Sequence, residues 1–471
     1  GSGKTLQLKM VLRELFDEFR INPDTRMLIR EYKKDDFLPA VKASGIPYKV
    51  IDPSSPNTYA WDIAKDCRSD MICDDIAETL IPHQQGDHPF FATAARTVLA
   101  ETMKGLRVKM GTDWDFWDLF QIVSRKERIL EMSRHAPAEG IPIEIILEKA
   151  ASSGDSMATV LTQLNNRFQM VAGAWKGAPR LSLREFVRSN EILLLGHSHT
   201  ARVSMNAIAA TVTDRVIKYV LSLRDSETRR VYFLLDELSN MAPITDYPEL
   251  VRAGRGKGAI SITGLQDLPG LQILYGQEVA TTLIDMHAHR SIMQCGVKTA
   301  QYISDSFGEL ELQRKTSTST SGTNQGNFSY SSGETEHYNR QRILQVRELT
   351  TGLHKATRKS GITAYFQAYG VDDHLNAWRS NIPAQVITSH QPIDAPIDYT
   401  EDDYIPPSLA KFTDADYTRL GLTPLSRQLT NEDLIHQIEI LQTELTQLKN
   451  QAKPTGREEQ PRKRFNINPT T

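Results

Sequence analysis

The chain has 471 residues, with 55 Lys and Arg against 58 Asp and Glu, a formal net charge of −3. Its 39% hydrophobic and 24% charged residues give the balance of a globular protein large enough for more than one domain, and they exclude a surface that is basic throughout, as in a histone. Three cysteines, Cys67, Cys73 and Cys295, without a C-x-x-C pair exclude a disulfide scaffold and a cysteine-based zinc finger and fit a reducing compartment.

The chain opens Gly1-Ser2-Gly3-Lys4-Thr5 without a Met and runs directly into apolar residues at helical spacing, Leu8, Val11, Leu12, Leu15, Phe16 and Phe19, before Asn22-Pro23. That is the back half of a P-loop, and a β-strand is expected before Gly1 in an uncut chain. Small residues let backbone N–H groups point at phosphate oxygens, and the helix N-terminus adds partial positive charge. Gly1, Ser2, Gly3, Lys4 and Thr5 are therefore the expected ATP-binding residues. Lys4 reaches the β/γ-phosphates and the Thr5 hydroxyl ligates Mg²⁺. Two short β-type runs follow, Arg26–Ile29 and Tyr48–Ile51. Residues 1–66 read as the first part of a nucleotide-binding domain.

From 67 to 178 strand signals stop and amphipathic segments succeed one another, an inserted all-α domain. They are Met71–Ile81, Pro89–Met110, Trp114–Ser133, Ile141–Ala151 and Met157–Trp175. Trp114, Phe116, Trp117 and Phe120 are expected as helical core. The α/β pattern resumes over 179–389, with strands at Glu191–Leu195, Val231–Leu235, Ala259–Gly264, His289–Cys295 and Ile362–Ala368. Helices at Ser204–Leu223 and Thr299–Phe307 lie between some of them, the alternation of a mostly parallel, doubly wound sheet. The Ser-, Thr-, Gly- and Asn-rich stretch 316–336 has too few apolar residues to bury and is expected as a mobile loop. Beyond 390 a peripheral tail is expected, with a short coiled-coil helix over 429–450 (Leu434, Ile438, Leu441, Leu445, Leu448) and a disordered end carrying Arg462-Lys463-Arg464.

A P-loop requires a carboxylate at the end of a buried strand, and Val231–Leu235 is followed by Asp236-Glu237. Asp236 would hold Mg²⁺ through water, and Glu237 would orient or deprotonate the attacking water. Gln266 ends the next strand, where it could sense the γ-phosphate. Arg255, in a Gly-rich turn, reads either as a solvated loop cation or as an arginine finger for a neighbouring subunit. Gly196-His197-Ser198-His199-Thr200 falls one Gly short of a nucleophile elbow. His197/His199 and His287/His289 have strand-like i, i+2 spacing but no defined third metal ligand.

The segments Phe233–Leu238, Ala253–Gly258, Thr263–Gln266 and Ser304–Glu309, in this order and spacing, resemble the motor domain of type IV secretion coupling proteins of the TraD/TrwB-like branch. The resemblance covers roughly residues 1–385. It implies a RecA-like P-loop motor with an inserted all-α domain, assembled as a homo-hexamer on the cytoplasmic face of the bacterial inner membrane. ATP and Mg²⁺ would be its cofactors. Its partners would be single-stranded DNA, the relaxase and the type IV secretion channel proteins, and its activity ATP-driven pumping of DNA. Arg255 falls on the family's arginine finger and Gln266 on its γ-phosphate sensor. Where many relatives carry Asp-Pro-x-Gly, this chain has Arg30-Glu31-Tyr32-Lys33. Competing readings are an FtsK/HerA-type pump, the secretion-channel ATPase, and a nucleotide-binding adaptor without turnover. The intact Asp236-Glu237 pair disfavours the last.

Overall fold

A computed structural model describes residues 3–33, 35–81, 89–137, 143–145, 171–197, 202–324, 327–354, 360–368, 377–397 and 411–424. Helix α1 (Lys4–Ile21) turns Leu8, Leu12, Phe16 and Phe19 inward. There they join a core with Met27 and Ile29 of β1 (Thr25–Arg30) and Val41 of α2 (Leu38–Ser44). All six residues of β1 are buried, as a parallel strand covered on both faces must be. Strands β2 (Tyr48–Ile51) and β3 (Ala60–Trp61) follow.

Helix α3 (Ile63–Asp66) leads into α4 (Asp70–Leu80), α5 (Pro89–Met110), α6 (Phe116–Val123) and α7 (Lys126–Ser133). Every described element between α3 and β4 (Arg180–Leu181) is helical. Local chemistry sets these boundaries. Ser69 accepts from the Ile72 amide to start α4, and a reciprocal Asp115/Asp118 capping box starts α6. Trp114, Phe116, Trp117 and Phe120 are buried, with Phe116 edge-on to Trp175 at 5.1 Å between ring centres. Asp66 fastens the base of this block. It is fully buried and accepts from Trp61 Nε1 at 2.7 Å, Ser182 Oγ at 3.0 Å and the Leu183 amide at 3.1 Å.

After β4 come α8 (Leu183–Phe186), β5 (Ile192–Leu195), α9 (Arg202–Leu221), β6 (Arg230–Leu235) and α10 (Tyr247–Ala253). A 3₁₀ turn, Gly254–Lys257, then enters β7 (Ala259–Thr263). The main sheet is parallel throughout in the order β2-β5-β1-β6-β7, with Ile29 opposite both Leu194 and Leu234. In such a sheet all strands end on one edge, so the residues after β1, β6 and β7 gather there.

Helices α11 (Leu268–Tyr275) and α12 (Gln277–Met286) lead to β8 (His289–Ile292) and α13 (Val297–Phe307). The stretch expected as a loop is instead an antiparallel ribbon, β9 (Glu309–Asn324) with β10 (Asn327–Arg342). Thr and Ser tolerate extended backbone, and cross-strand pairing satisfies the main chain without a buried side-chain face. Strands β11 (Ile362–Ala368) and β12 (Ala377–Ile382) form a second, antiparallel sheet with β8 in the order β12-β11-β8. Helix α14 (Ala384–Ser389) and the strap after it cross α1 and α2: Gln391 donates to the Leu6 carbonyl at 3.0 Å and the Ala395 amide to the Pro39 carbonyl at 2.9 Å.

The chain divides into two units, 1–412 and 413–471. In the second, α15 (Asp414–Leu420) has a Thr413/Asp416 capping box and a left-handed Gly421 at its end. The expected coiled-coil helix over 429–450 and the basic end lie outside the described residues.

Candidate nucleotide site

The site is built where α1 begins and β6 and β7 end. Gly3 caps α1 with φ 97, a left-handed conformation suited to glycine. No acidic residue occupies the first turn of α1, so nothing there cancels the positive end of its dipole. Gly1 and Ser2 lie outside the described residues.

Lys4 Nζ lies 3.4 Å from Asp236 Oδ1 and donates directly to Glu237 Oε1. The P-loop lysine and the acid pair, far apart in sequence, thus share one crevice. Burial raises the Asp236 pKa above the ordinary carboxylate value, and the Lys4 ammonium opposes that shift. Glu237 Oε2 is buried without a hydrogen-bond partner. Glu237 also holds φ 55, a left-handed conformation that a non-glycine residue adopts at a cost. Asp236 Oδ1 likewise makes no hydrogen bond beyond its ion pair with Lys4. Two buried acceptor atoms beside an ammonium fit a donor set for a hydrated divalent cation and a polarised water.

Gly264 closes the far side of the crevice. A Cβ there would lie 2.7 Å from Asp236 Oδ1 and 3.2 Å from Lys4 Cδ. Its amide donates to Leu235 O at 2.9 Å and its carbonyl accepts from the Leu238 amide at 3.0 Å, tying the end of β7 to the acid-bearing loop. Gly3, Lys4, Thr5, Asp236, Glu237 and Gln266 all line one cavity of about 1550 Å³. Strand β7, paired with β6 alone among the described residues, contributes Ile260 to Thr263 to its wall, and β8 contributes His289 to Ile292.

Arg255 stands apart. It is exposed in the turn before β7, whereas Gln266 follows that strand. Five strand residues separate the two ends by roughly 16 Å. The geometry does not bring Arg255 to the crevice of its own chain.

The other candidates resolve differently. His287 does not lie on a strand with His289. It caps α12, with Nδ1 2.6 Å from the Leu283 carbonyl, so the two rings share no strand face. Among the described residues no three His, Cys, Asp or Glu side chains converge as a metal site. His197 is buried beside Tyr32, with ring centres 5.4 Å apart, while Ser198, His199 and Thr200 lie outside the described residues. At the Arg30-Glu31 departure, Arg30 donates to the Gly196 carbonyl. Glu31 accepts from the Phe37 amide at 2.6 Å and the Leu38 amide at 2.8 Å, so it caps the start of α2. Periodicity did not single out Asp66, Tyr247 or Glu31, because their partners are distant in sequence or are backbone groups.

Comparison with known proteins agrees with this geometry. The TraD coupling protein of Escherichia coli (strain K12) is 23% identical over 318 residues, covering 66% of this chain and 43% of that protein. The chain therefore spans less than half the length of this curated relative. Among solved structures, the unbound bacterial conjugative coupling protein TrwB lacking its N-terminal segment superposes with a TM-score of 0.62 at 20% identity, over 84% of this chain and 86% of the other. TrwB in complex with ADP and Mg²⁺ gives 0.60 at 19% identity, over 84% and 86%. The fold is thus RecA-like, a parallel α/β sheet with its P-loop helix. Among the described residues, no helix is long and apolar enough to cross a membrane. The model of the type IV secretion-system coupling protein DNA-binding domain matches residues 1–356, and the chain belongs to this family.

Proposed function

We propose that this chain is the motor part of an ATP-driven DNA translocase of conjugative type IV secretion. In this reading it couples a relaxase–DNA complex to the secretion channel and pumps single-stranded DNA as a homo-hexamer at the inner membrane. The observation that carries the reading is the Lys4 ammonium held against Asp236 and Glu237 at the head of α1. A charged lysine at a helix N-terminus attracts phosphate, and a buried acid pair across from it supplies the metal and water side of phosphoryl transfer.

Backbone amides at the start of α1 and Lys4 would bind the β/γ-phosphates. Thr5 and Asp236 would hold Mg²⁺, which neutralises charge on the phosphates when bound. Glu237 would orient the attacking water and accept its proton. Gln266, on the same cavity, would read the γ-phosphate. Arg255 would act on the nucleotide of the adjacent subunit, since its own lies at the other end of β7. The TrwB complex with ADP and Mg²⁺, a relative in fold, supports the same pair of cofactors here.

The test is ATP binding and hydrolysis with and without single-stranded DNA. Glu237→Gln is expected to bind ATP but to hydrolyse it about 10²- to 10⁴-fold more slowly. Lys4→Ala is expected to lose binding. Turnover at the unsubstituted rate in Glu237→Gln removes that residue's role. Undiminished nucleotide binding in Lys4→Ala removes the site.

A further inference from the structure

On the wall of the same cavity lies a half-buried polar cluster that the reaction as drawn does not use. Tyr247, fully buried at the start of α10, places its hydroxyl 2.8 Å from Ser261 Oγ, 2.6 Å from Thr263 Oγ1 and 3.3 Å from His287 Nε2. Ser261 and Thr263 alternate along β7 and so share a face, 3.1 Å apart at their hydroxyls. The carbonyl fixes one direction, and a neutral ring sets the next. A carbonyl only accepts, so His287 Nδ1–H donates to Leu283 O, and Nε2 of the neutral ring accepts from Tyr247. With that proton directed at Nε2, the Tyr247 oxygen can accept from the Ser261 and Thr263 hydroxyls. Burial lowers the His287 pKa, which favours the neutral ring.

The cluster joins elements that bear the two outlying site residues. Helix α10 runs through Gly254–Lys257, which carries Arg255, and β7 runs out to Gly264 and Gln266. At the turn the packing is tight. A Cβ on Gly254 would lie 2.9 Å from Ala259 Cβ, and the Gly258 amide donates to Arg255 O at 3.0 Å. At the far end, Gly264 is bonded to the segment holding Asp236 and Glu237. Tyr247 is the brace between the arms.

We propose that Tyr247 is a positioning residue that locks α10, the 254–257 turn and β7 into one rigid lever, through which the state of the triphosphate at Gln266 sets the placement of Arg255 toward the neighbouring subunit. This rests on the roles proposed above for Gln266 and Arg255. Neither arm can shift along the other without breaking at least two of the hydroxyl bonds, among them those of the buried Tyr247.

The conservative variant is Tyr247→Phe, which keeps the ring and deletes the hydroxyl. In the full chain its affinity for a non-hydrolysable ATP analogue and its KM for ATP are expected to stay within about twofold, while kcat falls about tenfold. The lever also predicts a sigmoidal dependence of rate on ATP concentration in the unsubstituted chain, which Tyr247→Phe should flatten because its sites no longer sense one another. Thr263→Val, approaching the same bond from β7, should reproduce the split and serves if Tyr247→Phe does not fold. Unchanged kcat and steepness in either folded variant overturns the lever. So does loss of nucleotide affinity in step with kcat, which marks a purely structural role. Arg255→Ala separates the two layers. If it leaves kcat intact, the finger assignment fails and the lever with it. If it lowers kcat while Tyr247→Phe does not, only the lever fails.

Discussion

At Gly264 a hydrogen atom in place of a methyl group leaves room for the Lys4 and Asp236 side chains to meet. The methyl of Gly264→Ala would press on Asp236 Oδ1, a buried atom with little freedom to move, and on the Lys4 side chain. ATP affinity is expected to fall about tenfold in Gly264→Ala, measured by equilibrium binding, with the thermal midpoint little changed. Glu31 offers a second test at this scale. Burial pushes its pKa up to about 8 from an ordinary 4.5, against the pull of the Phe37 and Leu38 amides. A carboxyl with a raised folded-state pKa binds its proton more tightly when folded. Stability is therefore highest below the unfolded pKa and declines as pH rises from about 4.5 toward 8. The thermal midpoint should be higher at pH 5 than at pH 8 by several degrees, and Glu31→Gln should shrink that difference. A midpoint difference of the same size in Glu31→Gln would mean that other groups set the pH dependence.

Elements differ in how much of their making is local, and that decides what could be read from the sequence. Strand Ile362–Ala368 and the strand before Asp236-Glu237 could be read because their apolar runs are bounded by clear breaks. The buried aromatic set around α6 was equally plain from its spacing. The ribbon β9–β10 was not, since hydrophobicity carries no signal when neither face is buried and cross-strand pairing alone builds the element. His287 looked like half of a strand pair, yet its bond to Leu283 belongs to a helix end. Asp66 shows the limit most clearly, because its partners Ser182 and Leu183 lie beyond the whole helical block. Removing this carboxylate would strand an indole N–H, a hydroxyl and an amide inside the protein. Asp66→Ala is expected to cost about 3 kcal/mol in urea unfolding and to expose the 67–178 segment to limited proteolysis. A loss under roughly 1 kcal/mol would show that the block is held by its apolar contacts instead.

Across the whole molecule the proposed catalytic charges fall at opposite ends of the parallel strands. Lys4, Asp236 and Glu237 sit at one end of the parallel strands and Arg255 at the other, so one chain holds an incomplete set of the proposed catalytic groups. In the proposed ring the missing group would come from the next chain, and a heterologous interface repeated around a closed ring would do so once per subunit. Consider subunits with Glu237→Gln mixed with subunits carrying Arg255→Ala, each inactive when assembled alone. An Arg255→Ala subunit retains its own Glu237, and a Glu237→Gln neighbour supplies the arginine. In a random equal mixture about one site in four pairs the two correctly, half times half, and the mixture is expected to recover activity up to about a quarter of the unsubstituted rate, less where neighbouring sites must act together. If Arg255 served the nucleotide of its own chain, every site would lack one group or the other and mixing would restore nothing. ATPase activity of the mixed and separate assemblies, at equal total subunit concentration, decides between the two.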